Sequence, residues 1–325
     1  MSHGRDDAFS RAARRGQQRG RLSACVLRVG LLLVFPLWGA TGQSAQSTAG
    51  EDRANFRWAN YEFSFSVVED TVIPIQPIWI RLGVRNLTDR ELPRPWILPG
   101  TPLVSLDIFD QTGARPPVSL AHFEVRPGFE FSGRLAPRQK SEMFTDLGVT
   151  VWGFSDESAY RSFWGSRWSV TLRFDSSSFG PGAGPIPKPI ADNLMIAAPT
   201  GVDLEATTLY SNSSQKIREH RFDQSADLAR KITQLSPSSR LAALAYRRLG
   251  FLATDVAGSA GRADYIRKLS FELLRKRPDS PDLIVVSGDL SALDSGRVYR
   301  SFLDSVRVRC PSSPILIQEK WGPPK

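Results

Sequence analysis

Two spacings of apolar side chains divide this sequence. Between about residues 61 and 198, apolar and polar positions alternate in short runs, the period of a strand with one face buried. Tyr61, Phe63, Phe65 and Val67 share one side of a run over 61–68, and Ile78, Ile80, Leu82 and Val84 one side of 78–85. In that second run Trp79, Arg81 and Arg85 fall on the opposite, outer side. Val104, Leu106 and Ile108 repeat the pattern in 103–109, as do Trp168, Val170, Leu172 and Phe174 in 168–174. Further strands are predicted at 119–125, 142–147 and 193–198. Residues 86–90 and the Asp110-Gln-Thr-Gly113 stretch read as turns.

From Asp203 onward, apolar residues recur every third or fourth position, the period of a helix packed on one face. Helices are predicted at 203–210, 222–235, 240–254, 262–277 and 293–306. Pro199-Thr-Gly201 stops the last strand, and Asp203 is placed to cap the first helix. Pro237 and Pro278 each close a helix, while the small residues 257–261 read as a loop. The expected fold class is therefore α+β with two domains: an antiparallel β-sandwich of immunoglobulin or fibronectin type over 52–202, then a small all-α helical-hairpin domain over 203–325.

The breakers Pro237 and Pro278 stand 41 residues apart in similar settings, Gln234-Leu-Ser-Pro237 and Arg275-Lys-Arg-Pro278. With Leu249-Gly250 they resemble tetratricopeptide-type hairpins, whose period is about 34 residues, so that 257–261 would be an insertion. With Pro199-Thr-Gly201-Val-Asp203 at the junction, the chain resembles exported bacterial proteins of unknown function in which a fibronectin-like sandwich precedes short helical repeats. That resemblance implies architecture and export, and brings no activity with it.

Charge changes the picture at the N-terminus. Six arginines from Arg5 to Arg21 precede the uncharged, Leu/Val-rich run 29–42, which small residues follow. This is the layout of an export signal, and the run is short of the roughly 20 residues a spanning helix needs. Residues 1–45 are read as a signal and processing region, leaving a periplasmic or secreted protein; if retained, the segment would anchor the chain to the membrane. Leu22-Ser-Ala-Cys25 has the letters of a lipoprotein box but precedes the apolar run, whereas lipidation requires the cysteine beyond it. Seven Arg and two Asp lie in 1–45, so without them the net charge of +9 falls to +4. Neither that balance nor any aromatic–basic motif points to nucleic acid. Cys310 is then the only cysteine, expected to be buried beside Val306 and Val308.

No recognisable catalytic constellation emerges. His122 reads as a strand histidine, His220 as a solvated helical one, and neither accompanies a nucleophile motif. Ala257-Gly-Ser259-Ala-Gly261 lacks the first glycine of a nucleophile elbow and joins two helices, not a strand to a helix. Ser213-Ser-Gln-Lys216 stands without partner motifs, and no His/Cys set has metal-ligand spacing. Asp107, Asp110 and Gly113 match only part of a calcium loop. Gly180-Pro-Gly182-Ala-Gly184-Pro lacks the N–H donors a phosphate cradle needs. Asn86-Leu-Thr and Asn212-Ser-Ser fit a glycosylation sequon.

These readings favour a non-catalytic binding or scaffolding protein of the cell envelope, without cofactor or metal, that meets a protein partner through its helices. A first alternative is a carbohydrate-binding module stacking sugars on Trp79 and Trp96. A second is an inhibitor of a secreted enzyme acting through the Gly/Pro-rich loop 176–190. The basic run Arg275, Lys276 and Arg277 is a further candidate contact, although the end of a helix favours such charge on its own.

Overall fold

The structure is a computed structural model describing residues 52, 55–97, 103–115, 131–147, 161, 163–175, 181–235, 239, 241–288, 290 and 296–319. It is α+β. Among the described residues nine strands come first: β1 (Tyr61–Val67), β2 (Thr71–Val72), β3 (Trp79–Asn86), β4 (Leu92–Pro95), β5 (Val104–Asp110), β6 (Phe131–Leu135), β7 (Lys140–Asp146), β8 (Arg167–Phe174) and β9 (Ile190–Ile196). Seven helices follow among the described residues: α1 (Gly201–Arg218), α2 (Phe222–Leu235), α3 (Ala242–Phe251), α4 (Ala253–Lys276), α5 (Asp282–Val286), α6 (Arg297–Arg309) and α7 (Pro314–Glu319).

The strands form one sheet in the order β1-β3-β7, a second in the order β2-β9-β8-β5, and a two-stranded β4-β6 ribbon. Every pairing is antiparallel except β2 with β9, which is parallel. The alternation does what its period demands: Ile80, Leu82 and Val84 of β3, and Trp168, Val170, Leu172 and Phe174 of β8, are all buried. Phe56, Trp58, Phe63 and Phe174 close the packing at one end, Trp58 meeting Phe174 edge-to-face at 5.7 Å.

Successive helices pack on one another, α1 on α2, α2 on α3 and α3 on α4, with α5 against both α3 and α4. In α2 the buried positions Ser225, Ala226, Ala229, Ile232 and Thr233 lie three or four apart, so small side chains bring its neighbours close. The core does not stop at the end of the sheets; buried residues from β1 through α7 form one cluster. The C-terminal helix also guards a sheet edge: Phe144 N–H of β7 donates to Gln318 Oε1 of α7 at 2.9 Å. That bond occupies an edge donor otherwise open to another strand.

Several expectations need correction. Helix α1 begins at Gly201, with Thr200 as its cap residue, so Asp203 lies inside the first turn. There its carboxylate complements the helix dipole and accepts from Ser239 Oγ at 3.3 Å. The 257–261 stretch is not a loop: α4 runs through it, broken only at Gly258, whose φ of 69° a side chain would resist. The helix expected at 293–306 is α6, Arg297–Arg309, and a further helix, α7, follows it. Cys310 is half-buried at the end of α6, its Sγ 3.7 Å from Ser312 Oγ, and Val308 is 85% exposed. The predicted strand 119–125, with His122, lies outside the described residues, as do the signal region 1–45, Pro237 and residues 176–180.

Candidate functional site

The site with the densest chemistry lies where the sheets meet the helices. In β3 and β7 the register sets Trp79 opposite Asp146, both on the side away from the Ile80/Leu82/Val84 face. Helix α3 is rich in alanine, and Ala242, Ala243 and Ala245 are buried, which lets it lie close to its neighbours. Arg247 stands one turn after Ala243 on the same face and therefore points inward. From α5, Asp282 arrives on a short helix preceded by Pro281 and held by its neighbour. Ser280 Oγ donates to Asp282 Oδ2 at 3.0 Å and accepts from Asp282 N–H at 3.2 Å.

Arg247 Nη1 donates to Asp146 Oδ2 at 2.5 Å and to Asp282 Oδ1 at 3.4 Å. The three side chains are only 11%, 8% and 7% exposed in that order. Above them the Arg247 guanidinium lies 5.9 Å from the Trp79 ring centre. Two carboxylates thus share the Arg247 cation away from water. Burial pushes the Asp282 carboxyl above the ordinary aspartate value, and the charge of Asp146 adds to this against the opposing pull of Arg247. Burial alone would lower the Arg247 guanidinium, but Asp146 and Asp282 outweigh it and hold the arginine charged.

A cavity of about 20 Å³ adjoins the cluster, lined in part by Trp79, Gln76, Asp282, Ser280, Arg277 and Glu69. That is room for one water and far too little for a sugar ring. The buried Trp79 indole N–H makes no well-formed hydrogen bond, although its polarity favours the charged form of the nearby Asp282 carboxyl.

The candidates from the sequence are scattered by comparison. Trp79 does point away from the apolar face of β3, but it is only 7% exposed because helices cover that side. It cannot stack on a glycan. Trp96 is half-buried against the core, elsewhere in the fold. Arg277 and Trp79 both line the small cavity, whereas Arg275 is exposed. Lys276 turns inward: its Nζ donates to Thr233 O at 2.9 Å, pairs with Glu272 at 3.2 Å and lies 5.4 Å from the Tyr246 ring centre. The Arg275–Arg277 run is therefore not one exposed patch.

Other motifs resolve into local structure. Asp110 Oδ1 accepts from Thr112 N–H at 2.8 Å and Ala114 N–H at 3.0 Å. Those bonds, with the one from the Thr112 hydroxyl, hold its carboxyl below the ordinary range and make it a turn residue. Among the described residues no group of acidic, His or Cys side chains is arranged to hold a metal. Asn86 is fully buried, its Nδ2 donating to the carbonyls of Arg90, Leu135 and Ala136 at 2.7, 3.2 and 3.1 Å. Its amide fastens β3 to the 87–90 turn and the end of β6 and is not presented for glycosylation. His220 is exposed and left-handed (φ 58°) at the end of α1, where its N–H and that of Arg221 satisfy the last carbonyls at 3.0 and 2.8 Å.

A second, contrasting surface lies on α6. Phe302, Leu303 and Val306 are buried, Phe302 meeting Phe271 edge-to-face at 5.3 Å. The solvent side carries Arg300, Asp304, Arg307 and Arg309 around the 85% exposed Val308.

No protein-family model matches the sequence, and neither does any curated protein. Among the described residues, no helix is long and apolar enough to cross a membrane.

Proposed function

We propose that this is an exported, non-catalytic binding or scaffolding protein of the cell envelope, built from an immunoglobulin- or fibronectin-like sandwich domain and a tetratricopeptide-like helical domain. Its partner is a protein that docks on the helical part. The observation that carries this reading is the α6 face, where Val308 is left 85% exposed beside Arg300, Arg309 and the Asp304–Arg307 ion pair. Val308 supplies an apolar contact, and Arg300 and Arg309, beside the Asp304–Arg307 ion pair, supply positive charge, so this face suits a partner segment with an apolar side chain flanked by acids.

The test is capture from an envelope extract by the full chain and by its Val308→Asp variant. The variant should lose the partner while keeping the melting temperature of the parent. Equal capture by both would remove the α6 face as the docking site.

The glycan alternative loses Trp79, which the helices cover. The inhibitor alternative retains one feature, the 46% exposed Ile186 between Pro185 and Pro187. Its test is inhibition of a panel of secreted proteases before and after Ile186→Asp.

A further inference from the structure

Stacked helices stay soluble by closing their first and last members with a polar outer face. Helix α1 opens the series and packs on α2, and further along its outer side follows that rule, with Thr208, Asn212 and Gln215 exposed. Its first turn does not. Val202 and Leu204 are 42% and 45% exposed within the run Val202-Asp-Leu-Glu205. At about 100° per residue the exposed Glu205 falls between them on the helix surface, and among the described residues it makes no ion pair. The other acid of that turn, Asp203, is turned to Ser239. The start of the helical part therefore presents two apolar side chains around one unpaired carboxylate.

The α6 face is its counterpart. Val308 is exposed, Arg307 is paired with Asp304, and Arg300 and Arg309 have no acidic partner among the described residues. Helix α6 packs on α4 and α7 while α1 packs on α2, and both surfaces are open in the same molecule. Neither covers the other within one chain.

We propose that the α6 face docks a second copy of this chain, receiving the Val202–Glu205 turn of its neighbour. This rests on the α6 docking surface described above and names its occupant. Val202 and Leu204 meet Val308, and the Glu205 carboxylate meets the guanidinium of Arg300 or Arg309. Charge decides the pairing: a second α6 face would set arginines against arginines, whereas the α1 turn brings apolar side chains beside an acid. Because the two surfaces differ, the contact is head-to-tail, and each added copy leaves a free surface for the next. Repetition gives a ring or an open chain, not a closed twofold dimer. A contact centred on so few apolar side chains is small, and interfaces below about 1,200 Å² are transient, so assembly rises with protein concentration.

The experiment is sedimentation velocity of the full chain at rising concentration, in low and high salt, with Leu204→Asp and Val308→Asp alone and mixed in equal amounts. The parent should form species larger than a dimer, and salt should weaken them. L204D and V308D should each stay monomeric, since one lacks the turn and the other the face that receives it. Their mixture should form a dimer that grows no further, because each supplies the surface the other has lost. Glu205→Arg, which leaves both apolar side chains in place, is a second α1 variant and should behave as L204D does, alone and in the mixture. A monomeric parent, α1 variants that assemble like the parent, or mixtures without the dimer would overturn the second-copy proposal. The broader reading is separable from it. A monomeric parent whose V308D variant loses an envelope protein means that the α6 face binds a different partner; V308D assembling and capturing as the parent does removes both.

Discussion

Replacing Arg247 with Met tests how the buried cluster holds the molecule together. The change keeps much of the aliphatic bulk and removes the cation that bridges Asp146 and Asp282, side chains that are 8% and 7% exposed. Deleting one member of a buried ion pair costs about 3–5 kcal/mol, because the remaining carboxylates stay buried without their shared cation. That is a large share of the roughly 5–15 kcal/mol that holds a typical protein folded. At about 2–4 °C per kcal/mol, the melting temperature should fall by roughly 6 °C or more. Urea unfolding at pH 7.5 measures the loss, and the deficit should shrink at lower pH as the stranded carboxylates protonate. The triple variant Asp146→Asn, Arg247→Met, Asp282→Asn removes all three charges and should recover most of the stability. A loss below about 1 kcal/mol for R247M, or a triple variant no better than R247M, would refute this account of the cluster.

Trp79→Ala should destabilise by about 3–5 kcal/mol in the same assay, since it empties a buried site beneath Arg247; an unchanged midpoint would mean that the residue is exposed. Asn86→Ala leaves the carbonyls of Arg90, Leu135 and Ala136 without their donor and should cost about 1–3 kcal/mol, read from the urea midpoint. Gly83→Ala would drive a Cβ against Ser64 Oγ on the paired strand. It should lower the melting temperature, and Ser64→Gly in the same chain should restore it. For Glu142, burial raises the carboxyl but the bonds to Arg81 and Lys140 prevail and hold it below its ordinary value. Its stabilisation is present above the ordinary glutamate range and lost as pH falls through the lowered value, so Glu142→Gln should flatten the acid limb of the unfolding profile.

The strongly periodic elements were legible because their cause is local. Strands β3 and β8 follow from alternation, and α2 falls at Phe222–Leu235, where its apolar spacing put it. Strands β4 and β6 escaped because Pro93, Pro95 and Gly133 are breakers in isolation. Here they are accommodated in a two-stranded ribbon, where the Tyr61 hydroxyl donates to Pro93 O at 2.8 Å. Strand β2, α5 and α7 are two, five and six residues long, too short to show a period. Alternation correctly put Trp79 on the far side of β3, yet a strand's period cannot reveal that a helix more than 160 positions later will cover it. The junction cluster was illegible for the same reason: Arg247 reaches Asp146 across 101 positions and Asp282 across 35. The one local hint was a charged residue a turn after the buried Ala243 in an alanine-rich helix.

The central functional claim is that a protein partner docks on the helical part, and hydrogen–deuterium exchange of the full chain with its captured envelope partner tests it most directly. The account predicts added protection in α6, over Arg297–Arg309, with the sheets unchanged. Protection confined to the strands, with α6 exchanging as it does in the free protein, would contradict it.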